Sequence, residues 1–202
     1  MNPTWRHPML GELTGEPSLY GGMSWHGAVD APAFEAFRFG DWVRAYVQSA
    51  HDLPKGKYKL WMYGDKTTKD APVEEAVAMA VRVLERQNAI VELVIAAVMD
   101  ELHGRGPDSG MWWYNALAKP NVTQMLACRT FESNDDVLAS LRLSGIMISE
   151  KFGGVDRYAA NLWFDSEFEE EHDFCVLTDG DKVLGTGYLD SPMAYGFKFD
   201  EE

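Results

Sequence analysis

The chain has two cysteines in 202 residues, Cys128 and Cys175. Two cysteines cannot form the disulfide framework of a small secreted scaffold, so the fold must rest on a packed core. Both lie among apolar residues, in MLACRTF and DFCVL, and read as small buried hydrophobes. The carboxylates ahead of Cys175 would raise its thiol pKa, which argues against a Cys/His nucleophile. Long hydrophobic runs are also missing. The longest candidate, AIVELVIAAVM from Ala89 to Met99, is interrupted by Glu92 and falls short of the roughly 18 residues that span a bilayer. The stretch MNPTWRHPML lacks the basic start and apolar run of a secretory signal. A cytoplasmic protein with no membrane association is the expectation.

Basic residues are scarce: 18 Lys and Arg stand against 32 Asp and Glu, a net charge of −14. The imbalance is concentrated at the end, where residues 159–202 carry twelve acids against Lys182 and Lys198. Such a surface repels phosphate backbones and excludes nucleic acid as an expected partner. It attracts basic proteins, or it serves solubility alone. Catalytic signatures are absent too. There is no Gly-x-Ser-x-Gly elbow, no Walker-type loop and no Gly-x-Gly-x-x-Gly phosphate cradle. Asp179-Gly180-Asp181 is not followed by the rest of an EF-hand loop. His7, His26, His51 and His103 sit in unrelated contexts, the last suited to a helix C-terminus.

What is present is core material: 46% hydrophobic and 12% aromatic residues, enough for one substantial domain over 1–202. Residues 1–56 are rich in Gly and Pro and read as an irregular N-terminal portion of short strands and turns, with either a short helix or an extended segment over 39–50. GKYKLWMYGD (56–65) alternates as a strand with aromatics on both faces. Between Pro72 and Leu102 apolar residues recur every three or four positions, at Val73, Val77, Ala80, Val81 and Leu84, then Val91, Val94, Ile95, Val98 and Leu102. Gln87 and Asn88 interrupt that stripe, giving one bent helix or two. MWWYNALAKP (111–120) reads as a short helix whose Trp112, Trp113 and Tyr114 are core or an interface anchor.

From Ser133 the period changes: SNDDVLASL opens on a cap-like Ser-Asn-Asp-Asp and reads as a helical turn or two, and strands follow. Gly153-Gly154 marks one hairpin. Leu143 and Met147 fall on one face of its first strand, Ile146 and Ile148 on the other, as in a central strand. Tyr158, Ala160, Leu162 and Phe164 share a face of the second. Asp179-Gly180 marks another hairpin, in which a two-residue turn pairs Val176 with Val183 and Cys175 with Leu184. Helices followed by four strands indicate an α+β fold, with a C-terminal antiparallel sheet of hairpins packed against a central helix pair. Glu169, Glu170, Glu171 and His172 precede the last hairpin. Extended chain would point Glu169 and Glu171 away from Glu170 and His172, so a converging metal site is not expected. Glu171 and His172 read as a structural corner; the competing reading is a metal-dependent hydrolase built on that pair.

The tail resembles an uncharacterised bacterial domain family with a C-terminal hairpin signature of the type Trp-Asp-x-Glu-His-Gly. Phe164, Glu171, His172, Val176 and Gly187 fall where that pattern expects them, with Phe168 in the Trp place and Glu169 in the Asp place. Asp173 and Cys175 replace glycines, and Ser166 replaces a common cysteine. The segment APVEEAVAMAVRVLERQNAIVELVIAAVMDEL resembles the family's two-helix region, so the likeness spans a core of about residues 57–190. Such domains are similar to immunity proteins encoded beside bacterial toxins. The resemblance, the absence of a catalytic constellation and the acidic C-terminal third together point to a non-enzymatic immunity protein that neutralises a cognate basic toxin, without cofactor or metal. Its expected contact residues are Glu167, Glu169, Glu170, Asp173, Asp179 and Asp181. A homodimer joined through a sheet edge or the Trp112–Tyr114 cluster is the remaining alternative.

Overall fold

Alternation makes the strand Lys57–Met62: Tyr58, Leu60 and Met62 are buried, while Lys57, Lys59 and Trp61 are half-buried on the opposite face. The structure, a computed structural model, describes residues 2–18, 22–39, 53–63, 70–103, 131–167, 173–188 and 194–196. The segment 39–50 and the expected helix over 111–120, with Trp112, Trp113 and Tyr114, lie almost wholly outside the described residues, as does Cys128. The fold is α+β. Its strands are β1 (Thr4–His7), β2 (Gly11–Pro17), β3 (Met23–Asp30), β4 (Lys57–Met62), β5 (Leu141–Ser149), β6 (Ala159–Ser166), β7 (Phe174–Thr178) and β8 (Val183–Tyr188). They form one eight-stranded sheet in the order of the sequence. Every neighbouring pair is antiparallel except β4 and β5, which run parallel. The Gly- and Pro-rich N-terminal portion therefore supplies three strands of the same sheet as the C-terminal hairpins, followed by a 3-10 helix at Pro32–Ala36.

The long apolar stripe resolves into two helices, α1 (Glu74–Glu85) and α2 (Gln87–Leu102). They meet at Arg86, whose φ of −104° and ψ of 10° leave the helical region. Gln87 holds the joint. Its amide nitrogen donates to the Leu84 carbonyl at 2.9 Å, and its side-chain oxygen accepts from the Ala33 N–H at 2.8 Å. A third helix, α3 (Asn134–Ser140), starts in a capping box of Ser133 and Asp136 and runs straight into β5. Val91, Val94, Ile95, Val98 and Leu102 of α2 share one cluster of buried side chains with Leu60, Ile146, Leu162 and Val176 of the sheet. Among the described residues no helix is long and apolar enough to cross a membrane.

Two expectations about register are corrected. Leu143 pairs with Phe164 and Ile146 with Leu162, so Leu143 shares the face of Ile146 and Ile148, not that of Met147. The cause is a bulge at Ser144, which inserts one residue and reverses the alternation. In the last hairpin Thr178 pairs with Val183, Val176 with Thr186 and Cys175 with Gly187. The turn is longer than two residues: Asp179 Oδ1 accepts from the N–H groups of Asp181 and Lys182, both at 3.1 Å. Of the Asp-Gly pair only Gly180 takes a positive φ, +88°. An irregularity between Leu177 and Thr178 then shifts the remaining register.

Candidate functional site

The acidic residues of the tail divide between the two ends of β7. Glu167 follows β6 and Asp173 precedes β7, at one end; Asp179 and Asp181 follow β7, at the other. Five residues of strand, about 17 Å, separate the two groups. Glu169, Glu170, Glu171 and His172 lie outside the described residues. Among the described residues no group of three or more His, Cys, Asp and Glu side chains is placed to hold a metal ion.

The far pair is committed to arginines. Asp181 is ion-paired with Arg82 of α1 and, at 3.2 Å, with Arg86 at the helix joint. Arg86 Nε also donates to the Gly180 carbonyl at 2.8 Å. Asp179 Oδ2 accepts from Arg157 Nη2 at 2.8 Å, and the Asp179 side chain is only 13% exposed. Thr178 completes the turn by donating to the Lys182 carbonyl at 2.7 Å and accepting from the Gly180 N–H. These acids fasten the hairpin tip to the helix joint and to the 150–158 loop. The sequence gives no hint of this, because the three arginines lie far from the tip along the chain.

The near pair is placed differently. Glu167 is exposed, with its N–H donating to the Ser140 carbonyl at 3.0 Å. Asp173 adopts a φ of 54°, the left-handed region that glycine occupies without strain and that Asp tolerates better than most residues.

Further groups escaped the sequence reading. Glu101 of α2 is buried and accepts a 2.7 Å hydrogen bond from Thr186 of β8. It falls on the stripe of Val94, Val98 and Leu102, and that position is the signal that could have revealed it. Tyr195 neighbours this pair. Burial, then the Glu101 charge, pushes its phenol up to about 12. Burial likewise raises the Cys175 thiol far above its ordinary range, which leaves it unreactive. On the sheet face opposite the helices, Trp61 and Trp163 pack with centroids 4.7 Å apart. Compared with family models, curated proteins and solved structures, the chain matches none.

Proposed function

We propose that the protein is a non-enzymatic binding protein that takes a basic macromolecular partner, and that the partner is a cognate bacterial toxin which it neutralises. One observation carries the reading. The stretch from Glu167 to Asp173 holds five carboxylates in seven residues and no Lys or Arg. Its described ends lie at the opposite end of β7 from the arginines that occupy Asp179 and Asp181. Glu167, Glu169, Glu170 and Asp173 are the contact set, with Asp179 and Asp181 serving to anchor the hairpin behind it. In this reading the C-terminal hairpins, backed by the α1–α2 pair, form a stiff support for the acidic end. Clustered carboxylates steer a positively charged surface during encounter and set its orientation.

The test is co-purification of the tagged chain with the product of the adjacent open reading frame. Stoichiometric recovery supports the proposal, provided that Glu167→Gln, Glu169→Gln and Glu170→Gln together reduce it. Recovery of the tagged chain alone counts against it. The outermost position of β1 among the described strands favours one further reading, self-association by edge pairing. Sedimentation that is unchanged over a wide concentration range would dispose of that alternative.

A further inference from the structure

The parallel strands β4 and β5 pair from Lys59–Met62 to Gly145–Ile148. At the N-terminal ends of this pair, lined by residues 57–59 and 142–144, lies a cleft of about 290 Å³. Its size is at the lower limit of small-molecule sites. In a chain of net charge −14 it is lined, among the described residues, by Lys55, Lys57, Lys59 and Arg142, with Glu35 the single described carboxylate in its wall. Ser144 also lines it. This is the residue that the β5 bulge removes from the ladder, and its buried hydroxyl has no hydrogen-bond partner among the described residues. Buried hydroxyls are almost always satisfied, so one left open beside a cationic cleft points to a ligand.

The cations differ in how they are engaged. Lys57 pairs with Asp30 at 3.0 Å. Arg142 is fixed by Asp165 through Nε and Nη2, at 3.1 and 3.0 Å. Lys55 lies 3.9 Å from Glu35, whose other oxygen already accepts from the Gly56 N–H and the Tyr58 hydroxyl. Lys59 forms no ion pair with a described carboxylate; its Nζ lies 5.8 Å from the Trp61 ring centroid. We infer that the cleft binds a small oxyanion of the phosphate class. Lys59 and Lys55 supply the charge, and Ser144 donates its hydroxyl to one oxygen. Ammonium groups act as point charges and suit a multiply charged tetrahedral anion, whereas a single planar carboxylate calls for a guanidinium fork. Arg142, already fixed, forms the wall. The inference is independent of the docking proposal, which concerns the opposite sign of charge.

Calorimetric titration of inorganic phosphate into the full chain at fixed ionic strength is the test. The expected result is saturable one-to-one binding. Lys59→Gln and Lys55→Gln should each weaken it by about tenfold, the loss of one charge-assisted contact. Ser144→Ala should weaken it too, while Lys182→Gln, on the distant hairpin tip, leaves it unchanged. The lysine variants alter exposed or half-exposed side chains, so they remain informative if Ser144→Ala fails to fold. An absence of saturable heat, an equal loss in the Lys182→Gln variant, or tighter binding of citrate than of phosphate would each overturn the inference.

Discussion

Gly145 is bare because two tryptophans occupy the space a side chain would need. A Cβ there would stand 2.6 Å from Cζ2 of Trp163 and 3.0 Å from Cζ3 of Trp61. Gly145→Ala therefore forces one or both of these half-buried rings to shift. We expect a loss of about 1–3 kcal/mol. Urea titration followed by tryptophan fluorescence should show a lower midpoint at an unchanged slope. Asp173 presents the reverse case. Asp173→Val places a β-branched residue at a φ of 54° and should lower the melting temperature, while Asp173→Gly avoids that strain. Tyr195 gives a pH dependence. Below pH 10 both the folded and unfolded chains keep the phenol proton. Above it the unfolded chain releases the proton first, so stability falls as pH rises from 10 towards about 12. An ultraviolet titration in which Tyr195, identified by a Tyr195→Phe difference, ionises near 10 in the folded protein would contradict this. At this scale the sequence was legible where side chains alternate without interruption, as in β4. It was not legible at Ser144, since a bulge is a choice of backbone register that leaves no mark in hydrophobicity.

The helix break was readable from Gln87 and Asn88, which interrupt the apolar stripe; the purpose of the break was not. Gln87 joins the start of α2 to the 3-10 helix through the Ala33 N–H, a contact between residues 54 apart in sequence. Gln87→Ala leaves that part-buried N–H without its acceptor and should cost about 1–2 kcal/mol. Amide exchange at Ala33 should accelerate more than exchange within α2; equal acceleration in both would indicate general loosening instead. The last hairpin shows the same limit. Its Asp-Gly pair announced a turn correctly, and the Asp179 side chain, by capping two further N–H groups, made the turn longer than the pair alone implies. The ion pair of Arg86 and Asp181 is half exposed, so its coupling in a double-mutant cycle should stay below about 1 kcal/mol and shrink in salt.

For the whole molecule, an α+β organisation followed from helical spacing in the middle and alternation at the end. What periodicity could not supply was the joining of both ends of the chain into one sheet, because strand pairing depends on contacts remote in sequence. The acidic tail was visible as composition. That Asp179 and Asp181 are tied to arginines depends on Arg82, Arg86 and Arg157, which only folding brings to the tip. The central claim is that the Glu167–Asp173 end docks a basic partner. Association kinetics with the product of the adjacent open reading frame test it most directly, measured at low and physiological salt. The account predicts an on-rate that falls with salt and drops by about tenfold or more when Glu167, Glu169 and Glu170 become Gln and Asp173 becomes Asn. An on-rate indifferent to both salt and these four substitutions, or no complex at all, would contradict it.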